Sequence, residues 1–315
     1  MTTTTVSASP WTDWKWENAV AGSIAGLATV AFTHPLDVVR TRFQVYDGRN
    51  PNLPCYKNTP HALFTIGRLE GLRGLYSGFS PAVLGSTVSW GLYFYFYNTA
   101  KQRYMKRHDK TSAYIHLASA AEAGGLVCLI TNPIWVVKTR LQLQTPQNQY
   151  RAYSGFGDAL KTILRDEGWR ALYKGLLPGL FLVTHGAIQF AAYEEFRDII
   201  VDFRAKRNPS NAKNSELLTT VDYATLGASS KLAAILATYP FQVIRSRLQQ
   251  RPMLDGVPRY VDSGDAMTKT AKLEGPKGFY RGITANLLKN LPAASITFIV
   301  YENVLHLLKR TGKNN

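Results

Sequence analysis

Charge is spread unevenly along this chain. Residues 74–100 hold no Asp, Glu, Lys or Arg over 27 positions, enough to cross a bilayer core with some tilt. Residues 18–33 are also uncharged, within a stretch covering 17–46. Residues 112–143 carry one charge, Glu122, before Lys138, and residues 177–197 form a fourth stretch. Residues 215–249 carry only Lys231 between Asp222 and Arg245, and residues 284–308 enclose Lys289. The pattern predicts six transmembrane helices. Short amphipathic stretches at residues 58–69, 155–165 and 261–273 separate odd from even helices, each ahead of an acid–glycine break. Ala62, Ile66 and Leu69 have the spacing of one helix face, so these stretches read as surface helices parallel to the membrane. Residues 106–110 and 204–213 are polar, charged linkers. Residues 1–10 form a Thr/Ser-rich tail lacking the apolar core and charged start of a signal peptide.

One motif recurs three times: HPLDVVRTR at 34–42, NPIWVVKTR at 132–140 and YPFQVIRSR at 239–247, at steps of 98 and 107 residues. A second motif keeps step with it: LEGLRGLYSG at 69–78, DEGWRALYKG at 166–175 and LEGPKGFYRG at 273–282. Two motifs in step define a threefold internal repeat, set at residues 14–105, 111–203 and 215–308. The expected fold is an all-α membrane protein, a pseudo-threefold barrel of six helices. Its odd helices should kink at Pro35, Pro133 and Pro240, where the ring removes a backbone donor. Gly22-x-x-x-Gly26 and Ala120-x-x-x-Gly124 are small-residue pairs that let helices approach closely. Glu122 and Lys231 are costly in lipid and must face protein or water. They stand eleven and nine residues before their prolines, on nearly opposite helix faces, so nothing pairs them.

Composition narrows the function. A net charge of +16 suits nucleic acid, an anionic membrane surface or an anionic substrate. There is no basic run with interleaved aromatics and no nucleic-acid motif, which argues against the first. The two cysteines, Cys55 and Cys128, give neither a metal spacing nor a disulfide framework. No paired acids, Ser-His-Asp set or glycine-rich phosphate loop marks an enzyme. A mean hydropathy of −0.14 misleads here, because polar loops dilute the apolar stretches.

The repeated motifs resemble the mitochondrial carrier family, in which proline-x-acid-x-x-base-x-base precedes an aromatic-base-glycine element. The resemblance covers about residues 14–308. It implies a transporter that alternates access to a central site, with no enzyme activity, cofactor or metal, working as a monomer among anionic lipids. In the family, the acid of one odd helix pairs with the base of the next and closes a gate on the proline side. By position, Asp37 meets Lys138, Trp135 meets Arg245 and Gln242 meets Arg40. Only the first is an ion pair, with Trp135 offering Arg245 a cation–π contact. A weak gate is expected, since partly exposed pairs contribute about 0–1 kcal/mol each. The even helices carry Tyr97-Asn98-x-x-Lys101, Tyr193-Glu194-x-x-Arg197 and Tyr301-Glu302-x-x-Leu305. The resemblance makes these the opposite gate, with pairs Lys101–Glu194 and Arg197–Glu302 and a neutralised Leu305–Asn98.

The same resemblance places Gly85, Leu182 with Val183, and Lys289 at the family's substrate contacts. An intramembrane lysine faces a cavity by default. Asn286, Lys289, Asn290 and Ala293 share a helix face, and His185 and Gln189 lie one turn apart. Ser89, Trp90 and Tyr93 form a third patch. Trp90 reads equally as a ligand stacker or an interface aromatic, and His185 equally as a ligand or a helix-packing residue. One strong cation beside amide, imidazole and indole groups suits a sizeable, aromatic, anionic small molecule. Pro-Ile-Trp at 133–135 and SWGLYF at 89–94 resemble the family branch carrying folate, flavin, nicotinamide and pyrimidine nucleotides, and its plant folate-carrying members most of all. That resemblance implies a plastid envelope or a mitochondrial inner membrane. A pterin ring would then stack on Trp90 or Trp135, with an acidic tail on Lys289.

Overall fold

The computed structural model describes residues 16–48, 54, 56–106, 113–146, 152–207, 218–252 and 258–311. The tail at residues 1–10, Cys55 and most of both linkers lie outside the described residues. Among the described residues, six long helical segments and three short surface helices form the body. The long segments are α1 (Trp16–Val45), α3 (Phe79–Met105), α4 (Ala113–Gln142), α6 (Leu176–Phe181) with α7 (His185–Arg207), α8 (Thr220–Leu248) and α10 (Ile283–Thr311). The surface helices are α2 (Thr59–Leu75), α5 (Phe156–Asp166) and α9 (Ser263–Glu274). Among the described residues, four long segments are both long and apolar enough to span a membrane. The other two, α3 and α8, have the length at 27 and 29 residues. Tyr and Ser lower the apparent hydropathy of α3, although its run is uncharged.

Each odd helix lies along an even helix of another repeat: α1 along α10, α4 along α3 and α8 along α7. The surface helices tie each odd helix to its own repeat. Val136, Val137 and Leu141 of α4 pack with Ala159 and Ile163 of α5 and with Leu172. Val38 and Val39 of α1 pack with Ala62 and Ile66 of α2, and Ile244 and Leu248 of α8 with Ala266 of α9. The apolar core therefore gathers at the proline end of the barrel. Leu69 departs from its expected face: it is exposed, while Leu63 fills the space beside Ala62 and Ile66.

Pro35, Pro133 and Pro240 sit inside α1, α4 and α8. Two residues before each, Thr33, Thr131 and Thr238 donate to the carbonyls of Thr29, Val127 and Ala234 at 2.7–2.8 Å, a back-bond that bends helices. Two features were not anticipated. Pro292 lies inside α10, and the fourth membrane segment is broken by a 3-10 turn at Leu182–Thr184.

The even segments start close against the odd ones. Gly175 precedes α6 at φ +76°, and an added Cβ there would meet the Arg245 carbonyl at 3.1 Å, so both conformation and space demand glycine. Gly78 and Gly282 repeat this against the carbonyls of Lys138 and Arg40. The two small-residue pairs behave differently. A Cβ on Gly124 would lie 2.6 Å from Val183, a close contact between α4 and the turn ahead of α7. Gly22 and Gly26 face open space, so the expected close approach along α1 is not made here.

Candidate functional site

The floor of the barrel is built from the turn after each proline. Asp37, buried on α1, accepts from Lys138 of α4 at 2.5 Å and from Lys289 of α10 at 2.5 Å. Arg40, three residues on, stands 3.7 Å from the same carboxylate and donates to Gln242 of α8. Gln142 braces Asp37 through its amide at 3.2 Å. Arg245 donates to the Asn132 carboxamide at 3.2 Å. A cavity of about 290 Å³ opens at this level, lined by Asp37, Arg40, Trp135, Lys138, Leu182 and Arg245 among others.

Two sequence expectations change. Asp37–Lys138 is not the sole ion pair at this level, because Lys289 reaches the same acid from α10. Arg245 does not take Trp135 as its partner: the indole lies under Lys138, 5.2 Å from ring centre to Nζ, one turn along its own helix. Arg245 turns instead to the polar side chain just before Pro133. The Gln242–Arg40 contact does form.

One turn below, a second ring went unread in the sequence. The last base of each motif, Arg42, Arg140 or Arg247, has a fully buried side chain and pairs with Glu70, Glu167 or Glu274 of the acid–glycine break in its own repeat. Each also donates Nε to a backbone carbonyl at the end of the next odd helix: Arg42 to Gln142 at 3.0 Å, Arg140 to Gln249 at 3.2 Å and Arg247 to Gln44 at 3.0 Å. The glutamine side chains close the cycle, accepting from Thr41, Thr139 and Ser246 at 2.7–2.8 Å. Burial pushes Glu167 up, but hydrogen bonding to Arg140, its charge and Lys174 outweigh this and hold the carboxyl below its ordinary range. The residue before each proline adds a further link. His34 contacts the Ser77 carbonyl at 2.9 Å, Asn132 donates to Leu172 at 2.8 Å and Tyr239 to Arg281 at 3.0 Å. The signal was present in the sequence, since both the glutamate and the last arginine recur in all three motifs.

The opposite end is open. Among the described contacts, none joins Lys101 to Glu194 or Arg197 to Glu302. Arg197 meets its neighbour Asp198 at 3.8 Å and Glu302 meets His306 at 3.9 Å, both on exposed helix faces. Neither expected ion pair is therefore made among the described residues, and Leu305 is buried. Glu122 takes Arg103 at 2.8 Å and Tyr104 at 3.0 Å on α3. Lys231 has no acid within ion-pair distance among the described residues.

The remaining candidates divide. Leu182 lines the cavity. Gly85 is buried against α4, where an added Cβ would stand 3.1 Å from Ile134 and in ordinary contact, at 3.5 Å, with the Trp135 ring. Val183 packs on Gly124. His185 contacts the Thr238 hydroxyl at 3.0 Å between α7 and α8, which is the helix-packing alternative. Gln189 is half-buried one turn further on. Asn286 is buried and accepts from Asn290. Trp90 is 62% exposed and stacks on Phe94. It is not among the residues that line the floor cavity. Trp135 is thus the indole at the floor.

An open-topped helical barrel, closed below by charged side chains contributed in threefold order, defines an alternating-access membrane carrier. The sequence comparisons agree with that class. The family model described as "Mitochondrial carrier protein" matches three times, at residues 12–108, 109–204 and 216–312. The chain belongs to the mitochondrial carrier family. It is 68% identical over 299 residues to "Folate transporter 1, chloroplastic" of Arabidopsis thaliana, covering 94% of this chain and 97% of that protein. It is 38% identical to "Nicotinamide adenine dinucleotide transporter 1, chloroplastic" of the same plant, covering 92% and 91%. Identity is 35% to "Mitochondrial nicotinamide adenine dinucleotide transporter 1" of Saccharomyces cerevisiae, covering 90% and 75%.

Proposed function

We propose that this protein is a folate carrier of the chloroplast envelope and a transporter rather than an enzyme. The observation that supports this best is the gap between 68% identity to a protein named as a chloroplastic folate transporter and 38% to one named for nicotinamide adenine dinucleotide. The floor suits such a substrate. Trp135 offers a flat face for the pterin ring, and Lys289 offers a cation for the glutamyl tail. Leu182 lines the cavity, and Gly85 packs behind Trp135. Asn286, Gln189 and His185 shape the walls rather than supply charge, and Trp90 stands outside the floor cavity.

Lys289 also couples binding to opening. It is held by Asp37 when the floor is closed, so an incoming carboxylate competes with Asp37 for it. Occupancy draws Lys289 upward and leaves Asp37 with Lys138 and the more distant Arg40, which weakens the floor from the substrate side. A ligand shifts such an equilibrium only through this kind of differential contact.

The test is uptake of radiolabelled folate into liposomes containing the purified protein, with unlabelled folate, flavin nucleotide and nicotinamide adenine dinucleotide as competitors. Saturable folate uptake, competed best by folate, is the expected result. Uptake of the dinucleotide without folate would refute the substrate while leaving the carrier intact. A mitochondrial rather than plastid location of the tagged protein would correct the membrane alone.

A further inference from the structure

The floor is far out of charge balance. Asp37 is the one carboxylate among the described residues that line the cavity, against Arg40, Lys138 and Arg245 on the cavity wall and Lys289 on Asp37 itself. The threefold-related positions that match Asp37 hold Trp135 and Gln242, both neutral. Lys138 and Lys289 share Asp37 at 2.5 Å each, so its charge is already committed. Arg40 sees that carboxylate only at 3.7 Å and otherwise meets neutral groups, and its buried Nε has no hydrogen-bond acceptor. Arg245 is held by a neutral carboxamide. Gln242 lies one turn from Arg245 on α8 and touches Arg40, so it joins the two guanidinium groups into one corner.

A guanidinium taken from water without an anion is costly. Its planar donors match a carboxylate or phosphate. We propose that the Arg40–Gln242–Arg245 corner is a second anion subsite, and that the transported molecule carries two acid groups. One acid goes to Lys289 and the other to this corner, replacing the acids absent at 135 and 242. This rests on the carrier reading above and narrows its substrate class. The second acid also belongs at the gate itself, so the substrate is part of what the floor closes upon.

The experiment is competition against labelled folate uptake in liposomes by folate and by folate whose γ-carboxylate or α-carboxylate is converted to the amide. In wild type, each mono-amide should compete at least about tenfold more weakly than folate, by analogy with a charge-assisted hydrogen bond. In Gln242→Glu, the new carboxylate occupies both arginines. Folate should weaken, the mono-amide bound through Lys289 should not, and the gap should shrink to about threefold or less. Arg245→Gln should narrow the gap in the same direction, which guards against a Gln242→Glu protein that fails to fold. Equal competition by a mono-amide in wild type, or an unchanged gap in both variants, would overturn the subsite. If wild type carries the dinucleotide and not folate, the folate reading fails. The subsite is then judged by the dinucleotide, with two phosphate groups, against nicotinamide mononucleotide, with one. Preference for two supports it and indifference overturns it.

Discussion

Two rings of charge lie one helical turn apart at the proline end, and they are built to opposite standards. The lower ring, Arg42–Glu70, Arg140–Glu167 and Arg247–Glu274, is complete in all three repeats, with its arginine side chains fully buried. The upper ring has an acid in one repeat of three, and that acid serves two lysines and, more distantly, an arginine. The same odd helices carry both. The lower ring joins residues of one repeat to each other and, through backbone carbonyls, to the next odd helix. Its Arg–Glu pairs hold each repeat in shape, while its bonds to the next odd helix join the repeats at the closed end. The upper ring must come apart for the substrate to pass, so its weakness is compatible with turnover while weakness below would not be.

Breaking the lower ring should have the largest effect. Arg140→Ala leaves Glu167 with only the more distant Lys174 and removes donors from the carbonyls at the end of α8. Breaking a buried pair costs about 3–5 kcal/mol, so this variant should lose most of its thermal stability in detergent. A melting curve like wild type would mean that the ring is ornamental. The ring also has a pH signature. The folded pKa of Glu167 lies below its ordinary value, so its contribution is fully present above the unfolded pKa and is lost as pH falls through the folded one. The gap in melting temperature between wild type and Glu167→Gln should be largest at neutral pH and close as the medium becomes acidic. A gap that widens under acid would contradict the assignment.

Effects in the upper ring should be smaller and should fall on transport. Lys289→Ala removes a charge-assisted contact worth about 1.5–3 kcal/mol, and apparent folate affinity should weaken by one to two orders of magnitude. Uptake at normal affinity would make the lysine purely structural. Trp135→Asp restores an acid opposite Arg245. A partly exposed pair adds about 0–1 kcal/mol, so the variant should be slightly more stable and slower in uptake, and faster uptake would count against a gate at this level.

The sequence made the threefold architecture legible because the prolines, the terminal bases and the acid–glycine breaks recur in register. It showed Asp37, Lys138 and Lys289 as separate features, but Lys289 lies 252 residues from Asp37, and no local pattern places one on the other. Arg245 was misread for a related reason. Position predicts Trp135 as its partner, whereas the indole is held along its own helix by Thr131 and Lys138. The opposite gate was readable as a set of residues and not as a set of contacts, because a carrier shows one end closed at a time.

A double-mutant cycle on Asp37 and Lys289 measures directly whether the lysine is shared between that acid and the substrate. Apparent folate affinity would be read in wild type, Asp37→Asn, Lys289→Ala and the double variant. Freeing the lysine should make Asp37→Asn bind folate several-fold more tightly than wild type, while in the Lys289→Ala background the same change should have little effect, giving a coupling well outside the few tenths of a kcal/mol expected of independent sites. Weaker binding by Asp37→Asn, or an equal change with and without the lysine, would contradict the sharing of Lys289 between gate and substrate.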